Sequence, residues 1–252
     1  MSIRSSQHRL VLITGGARRI GRAIALQLAE YGFDIALQYN TSQEAAEEVV
    51  ASIKRLGRQA ICLRADLSLS SDITALFPRC CSELGAPSCL VNNASEFHHD
   101  TVTTTNLHSW NRHFEVNLRA PVFLAQALHT HLPKGVEGNI INIIDQRVWK
   151  LTPDFFSYTL SKAGLWTATQ TLAQALAPNI RVNAIGPGPV LKNVHQTYEA
   201  FEKEVRSTLL KRSPSAEEIA RAVLFILEAP SMTGQMIALD SGQHLAWNEI
   251  LN

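Results

Sequence analysis

Asp145, Tyr158 and Lys162 stand thirteen and four residues apart along the chain. A phenol and an amine four positions apart share one face of a helix. An ammonium beside a phenol stabilises the phenolate and draws its pKa down from about 10 toward the range of a general acid. The chemistry expected of the pair is proton donation to a group under reduction, with the Asp145 carboxylate as third partner. By itself a Tyr-x-x-x-Lys is common on helices. Its weight comes from a second signature at the other end of the chain.

That signature is Thr14-Gly15-Gly16-Ala17-Arg18-Arg19-Ile20-Gly21. The apolar run Leu10-Val11-Leu12-Ile13 precedes it and reads as a buried strand. Ile20, Ile24 and Leu28 follow at the spacing of one helix face. Strand, glycine turn and helix together form a phosphate cradle: glycine lets the backbone approach a pyrophosphate, and the helix N-terminus supplies N–H groups and positive potential. The second strand ends Leu37-Gln38-Tyr39-Asn40-Thr41-Ser42, without the acid that would bond a ribose 2′-hydroxyl. Asp34 lies at the wrong end of it. Arg18 and Arg19 sit inside the turn, where they would attract a 2′-phosphate. NADPH is therefore the expected cofactor.

These elements belong to a longer ordered set: Asp66-Leu67-Ser68, Asn92-Asn93-Ala94-Ser95, Asn117, Pro187-Gly188 and Asp240-Ser241-Gly242. In this order the chain resembles the short-chain dehydrogenase/reductase family from about Leu10 to Gly242. Arg19 stands where the general pattern has glycine, and Thr-Gly-x-x-x-Arg-x-Gly is similar to the pteridine reductase and dihydromonapterin reductase branch. That branch also has Asp where most relatives have a catalytic Ser, matched by Asp145, and an aromatic residue that stacks on the pterin, matched by Phe97. It commonly carries a basic residue where this chain has Thr41.

The resemblance implies roles residue by residue. Asp145, Tyr158, Lys162 and Asn117 would be catalytic, Asn117 by holding a water that links Lys162 to solvent. Cofactor contacts would come from Gly15, Arg18, Arg19, Ile20 and Gly21 in the turn and from Asn40, Thr41 and Ser42 after the second strand. Asp66, Leu67, Asn93, Ala94 and Ser95 would add to them, together with Tyr158, Lys162, Pro187 and Gly188. Arg19, Ser95, Phe97, Asp145 and Tyr158 would surround the pterin. A flat pterin suits a sandwich between Phe97 and the nicotinamide, and its amide-like edge can pair with Ser95 and Asp145. The implied reaction sends the pro-S hydride to a C=N carbon of a dihydropterin, of dihydrobiopterin or dihydromonapterin type, with dihydrofolate as a further candidate. A short-chain carbonyl reductase is the alternative enzyme, and a non-catalytic NADP(H) sensor the alternative from another class. The resemblance also implies a homotetramer.

At 252 residues and 46% hydrophobic content the chain can bury one large core. Strand-like runs at 10–14, 34–39, 59–64, 88–92, 139–144, 180–185 and 235–239 alternate with amphipathic helical stretches. Many are apolar on both faces, as in a covered parallel sheet. The expected fold is α/β: one Rossmann-type, doubly wound parallel sheet of about seven strands with helices on both faces. Residues 1–9 read as a polar tail and 10–252 as one reductase domain. The more polar segment 188–213 reads as a lid over the site.

A net charge of +1 without charge blocks argues against nucleic acid or a membrane surface as partner. No run is long enough for a membrane span, and the first nine residues lack an apolar core, so a cytoplasmic protein is expected. Cys62, Cys80, Cys81 and Cys89 read as reduced thiols. His98 and His99 read as a solvated loop pair. His129 and His131 point apart on a helix, and no metal site is expected.

Overall fold

The structure, a computed structural model, describes residues 9–193 and 196–247. Most of the expected polar tail, residues 1–8, lies outside the described residues, as do 194 and 195 within the expected lid. Seven strands form one parallel sheet in the order β3-β2-β1-β4-β5-β6-β7. They are β1 (Leu10–Ile13), β2 (Asp34–Tyr39), β3 (Ala60–Arg64), β4 (Cys89–Asn92), β5 (Gly138–Ile143), β6 (Ile180–Pro187) and β7 (Met236–Leu239). Each lies within two residues of the run expected from the sequence.

The sheet is covered on both faces because successive side chains of a strand point to opposite sides. From β1, Val11 and Ile13 enter one core with Ile24 and Leu28 of α1 (Arg19–Glu30). Val49 and Ile53 of α2 (Gln43–Arg55) join it, as do Ile219 and Val223 of α8 (Ala216–Glu228). Leu10 and Leu12 enter the opposite core. There they meet Phe77 of α3 (Ser70–Glu83), Leu124 and Leu128 of α5 (Ala120–His131), and Ala173 of α6 (Phe156–Leu176). Two further helices are α4 (Leu107–Phe114) and α7 (Tyr198–Ser207). Side chains fix several helix starts: Asn106 accepts from Ser109 N at α4, and Ser215 and Glu218 form a capping box at α8.

The strand order reverses between β1 and β4, which leaves a crevice at their C-terminal ends, the usual place for a ligand in a doubly wound sheet. Among the described residues no helix is long and apolar enough to cross a membrane.

Candidate active site

A cavity of about 880 Å³ opens at that crevice. Its floor begins with the glycine turn. Gly15 has φ +62°, a conformation that disfavours a side chain, and a Cβ at Gly21 would lie 2.2 Å from the Gly15 carbonyl oxygen. The turn is latched to its neighbours. Gly15 N donates to Gln38 Oε1 at 2.9 Å, and Asn93 Nδ2 donates to the carbonyls of Thr14 and Gly15, both at 3.0 Å. Helix α1 then starts with no side-chain cap and no acid in its first turn. Its first N–H groups open on a cavity walled by Arg18, Arg19, Ile20 and Gly21. An anionic phosphate fits this end: it would satisfy the open donors and the positive potential of the helix.

Arg19 adopts φ +53°, rare for a residue with a side chain. It is held there by its own guanidinium, which donates to the carbonyls of Leu191 and Lys192, each at 2.8 Å. The glycine turn is thereby tied to the segment that follows β6. That segment and α7 border the cavity through Val190, Leu191, Asn193, Ala200, Phe201 and Glu204. Pro187 and Gly188 border it as well, and a Cβ at Gly188 would lie 2.7 Å from Asp240 Cα.

The reactive groups face one another across the cavity from β5 and α6. Asp145 follows β5, and its Oδ1 accepts from Arg147 N at 2.8 Å. Its Oδ2 accepts from the Tyr158 hydroxyl at 3.0 Å. Tyr158 is 5% exposed and Lys162 2%, so both are removed from bulk water. Lys162 Nζ donates to the Ile143 carbonyl at 2.9 Å and lies 5.8 Å from the centre of the Tyr158 ring. Helix α6 is fixed to the sheet by a buried amide chain: Asn92 Nδ2 donates to Asn142 Oδ1, and Asn142 Nδ2 to Thr169 Oγ1, both at 2.8 Å.

Burial controls the protonation of this trio. It pushes the Asp145 carboxyl above its ordinary range, against the pull of Arg147 and Lys162. Burial, then the Asp145 charge, hold the Tyr158 phenol well above 10.0. Burial lowers Lys162 to about 8, with Asp145 opposing. The sequence expectation that Lys162 draws the phenol pKa down is therefore corrected. The carboxylate at hydrogen-bond distance outweighs an amine that is bound elsewhere. The phenol thus keeps its hydrogen, which it donates to Asp145.

Phe97 presents its edge to Tyr158, with ring centres 4.6 Å apart, and stacks on Phe155 at 4.5 Å. The Arg147 guanidinium lies over the Phe155 ring, 4.8 Å from its centre. Phe155 has φ +56°, a genuine outlier for a bulky residue of the kind that clusters at functional sites. Neither Phe155 nor Arg147 was picked out from the sequence. Periodicity carries no sign of a left-handed residue just before a helix. Gln38 was also missed, although a buried glutamine beside a glycine turn is a usable signal.

Asn117 lies in a five-residue π turn, Glu115–Arg119, between α4 and α5. Its side chain accepts from Glu96 N at 2.9 Å and donates to the Glu96 carbonyl and Ser161 Oγ, both at 3.0 Å. The amide is thus committed to holding the loop after β4, and it also accepts from Ser95 Oγ at 3.2 Å. Ser95 and Ala94 reach the cavity wall. Asn40, Thr41, Ser42, Asp66 and Leu67 do not border the cavity. Asp66 accepts from Ser68, and Leu67 is buried in the core. His98 and His99 pair with Glu96 and Asp154, and both border the cavity, which adds to their expected loop role.

Residues 15–244 match the family model described as enoyl-(acyl carrier protein) reductase. The chain is 31% identical to a short-chain type dehydrogenase/reductase of Picea abies, covering 93% of this chain and 92% of that one. Among solved structures it is 49% identical to FolM alternative dihydrofolate reductase 1 from Brucella canis, complexed with NADP. That match covers 96% of each chain with a TM-score of 0.90. The same-named protein from Brucella suis, also with NADP, is 50% identical over 95% of this chain and 96% of that one, with a TM-score of 0.92. With its ordered motifs, its sheet and its Tyr158–Lys162 helix in agreement, the chain belongs to the short-chain dehydrogenase/reductase family.

Proposed function

We propose that the protein is an NADPH-dependent reductase of dihydropterins. The observation that carries this reading is the Asp145–Tyr158 hydrogen bond inside an aromatic-walled cavity. A carbonyl needs one proton donor. A pterin ring also offers several donors and acceptors, which a carboxyl and a hydroxyl such as Ser95 can match. The NADP complexes of the two Brucella relatives support the cofactor, and their name supports a ring of this class.

Bound NADPH supplies the hydride. The uncapped start of α1 would hold its pyrophosphate, and Arg18, exposed on the cavity wall, would meet the 2′-phosphate. Lys162, anchored by Ile143, would bond the nicotinamide ribose. Phe97, backed by Phe155, covers the flat face of the pterin. The Tyr158 hydroxyl, which donates to Asp145, would pass its proton toward the ring nitrogen, with the Asp145 carboxyl beside it as the partner in the relay. The described parts of the segment, 188–193 and 196–213, would serve as a lid over the pair, tied to the glycine turn by Arg19. The assembly expected from the family resemblance is a homotetramer.

A carbonyl reductase is the second reading, favoured by 30% identity to the 3-oxoacyl-[acyl-carrier-protein] reductase FabG of Staphylococcus aureus. Asp145→Ser separates the two, since it restores the residue most of the family carries. Loss of dihydropterin turnover with retained or gained ketone turnover supports the pterin reading. Dihydropterin turnover equal to that of the unmodified protein contradicts it.

A further inference from the structure

We infer that His113 is a positioning residue of the site: in one neutral tautomer it holds the loop that carries Phe97 against Tyr158. The inference rests on the pterin reading above for what Phe97 covers. It adds to that reading a residue that does not itself border the cavity.

His113 lies on α4 and is 0% exposed, beside Ser157 at 0% and Asp100 at 3%. Serine, histidine and aspartate together suggest a nucleophile. Their burial and their order exclude one. In a hydrolytic triad the imidazole stands between the other two and takes the serine proton. Here the serine stands between. Ser157 Oγ donates to Asp100 Oδ2, and Ser157 N donates to Asp100 Oδ1 at 3.1 Å. The single hydroxyl hydrogen goes to the carboxylate. His113 Nδ1, 2.7 Å from Ser157 Oγ, must therefore be the donor in that contact. Its Nε2 accepts from His98 N at 3.1 Å. A proton on Nδ1 and a lone pair on Nε2 define the neutral tautomer. Burial, which lowers the His113 pKa against the opposing pull of Asp100, favours that uncharged form.

This chain of bonds holds the segment from Glu96 to Asp100. Glu96 N is fixed by Asn117 Oδ1 and His98 N by His113 Nε2, so Phe97 has a bound amide on each side. Asp100 ties the far end of the segment to the first turn of α6. Its carboxylate takes Ser157 N, and its carbonyl takes Phe156 N at 3.1 Å, two donors that a helix start leaves open. Phe155 and Tyr158 flank those two residues, and they are the rings that Phe97 meets, at 4.5 and 4.6 Å. Loss of the Nε2 acceptor would release the amide next to Phe97 and leave the Asp100 anchor in place. The penalty falls on the placing of the aromatic wall, and so on substrate affinity, more than on the proton step at Asp145 and Tyr158.

The first test is made on the unmodified protein. With its histidines labelled by nitrogen-15, long-range proton–nitrogen spectra should show His113 as the Nδ1–H tautomer at neutral pH, the signal being assigned by its loss in His113→Gln. Two variants then divide the nitrogens between them. His113→Gln keeps an acceptor at the Nε2 position, whereas His113→Asn keeps a donor toward Ser157 and loses that acceptor. His113→Asn should raise the KM for a dihydropterin about 5- to 10-fold, the scale of one net hydrogen bond, with a smaller fall in kcat. Its His98 amide should exchange with deuterium faster by a similar factor. His113→Gln should bring both back toward the unmodified values, whereas a purely structural role would penalise the two variants alike. An Nε2–H tautomer or an imidazolium in the unmodified protein overturns the assignment, whether or not either variant folds. Equal KM and equal exchange in the two variants overturn the clamp and leave the pterin reading standing. Absence of turnover of any dihydropterin by the unmodified protein overturns that reading alone, and the tautomer and the His98 exchange then decide the clamp.

Discussion

Asp145→Asn tests whether the carboxyl is chemical or only a spacer. The amide keeps the shape of the side chain, and its oxygen can still accept from Arg147 N, as Oδ1 does at 2.8 Å. Its nitrogen must then face the Tyr158 oxygen, now 3.0 Å from Oδ2. Two donors meet, and the phenol hydrogen loses its acceptor. A hydrogen bond to a charged group in a closed site contributes about 1.5–3 kcal/mol, which converts to roughly a 10- to 150-fold fall in rate. Steady-state kinetics on one dihydropterin should show that fall in kcat, with NADPH affinity little changed. A second readout follows from the electrostatics. After burial, the Asp145 charge is the largest influence raising the Tyr158 phenol. The variant should therefore titrate at lower pH, seen as tyrosinate absorbance against Tyr158→Phe as blank. An unchanged kcat, or a phenol titration moved upward, refutes the Asp145–Tyr158 relay.

Tyr158→Phe removes one oxygen from a buried ring and should lower turnover by roughly 100-fold or more, with folding and NADPH binding retained. Near-full turnover would show another donor. Arg18→Ala should weaken NADPH more than NADH, an effect reduced by salt, and equal losses for both cofactors in titrations would contradict its phosphate role. Lys162 has a folded pKa of about 8 against an ordinary 10.5, so its buried charge destabilises the protein at neutral pH. Between these values the unfolded chain binds more protons, and stability rises with pH. Denaturant midpoints of the ligand-free protein should show that rise, and Lys162→Met should lack it.

The central strand runs were legible because both faces of those strands are buried, which leaves apolar stretches such as Leu10-Val11-Leu12-Ile13 and Ile140-Ile141 in the chain. The glycine turn was legible for a related reason: Gly15 and Gly21 answer local demands that a sequence shows directly. The meeting of Asp145 with Tyr158 followed from motif order. The direction of the Tyr158 shift did not, because it depends on burial and on where Lys162 spends its protons, at Ile143. Arg147 and Phe155 escaped notice because their roles arise from a left-handed turn that no periodicity records. Asn117 was read as holding a water that links Lys162 to solvent; its place in the π turn and its side-chain bonds to Glu96 and Ser161 were not legible. Asn40, Thr41 and Ser42 follow the expected strand, yet they stand outside the cavity wall, where only the far end of a long cofactor would reach them.

The proposed chemistry is tested most directly by the initial rate of NADPH oxidation with the unmodified protein, supplied in turn with dihydrobiopterin, dihydromonapterin, dihydrofolate and a simple ketone. A cavity built on the Asp145–Tyr158 couple and the Phe97–Phe155 stack predicts oxidation that depends on a dihydropterin and stays near background with the ketone. Rapid reduction of the ketone with every pterin ignored would contradict it and leave a short-chain carbonyl reductase.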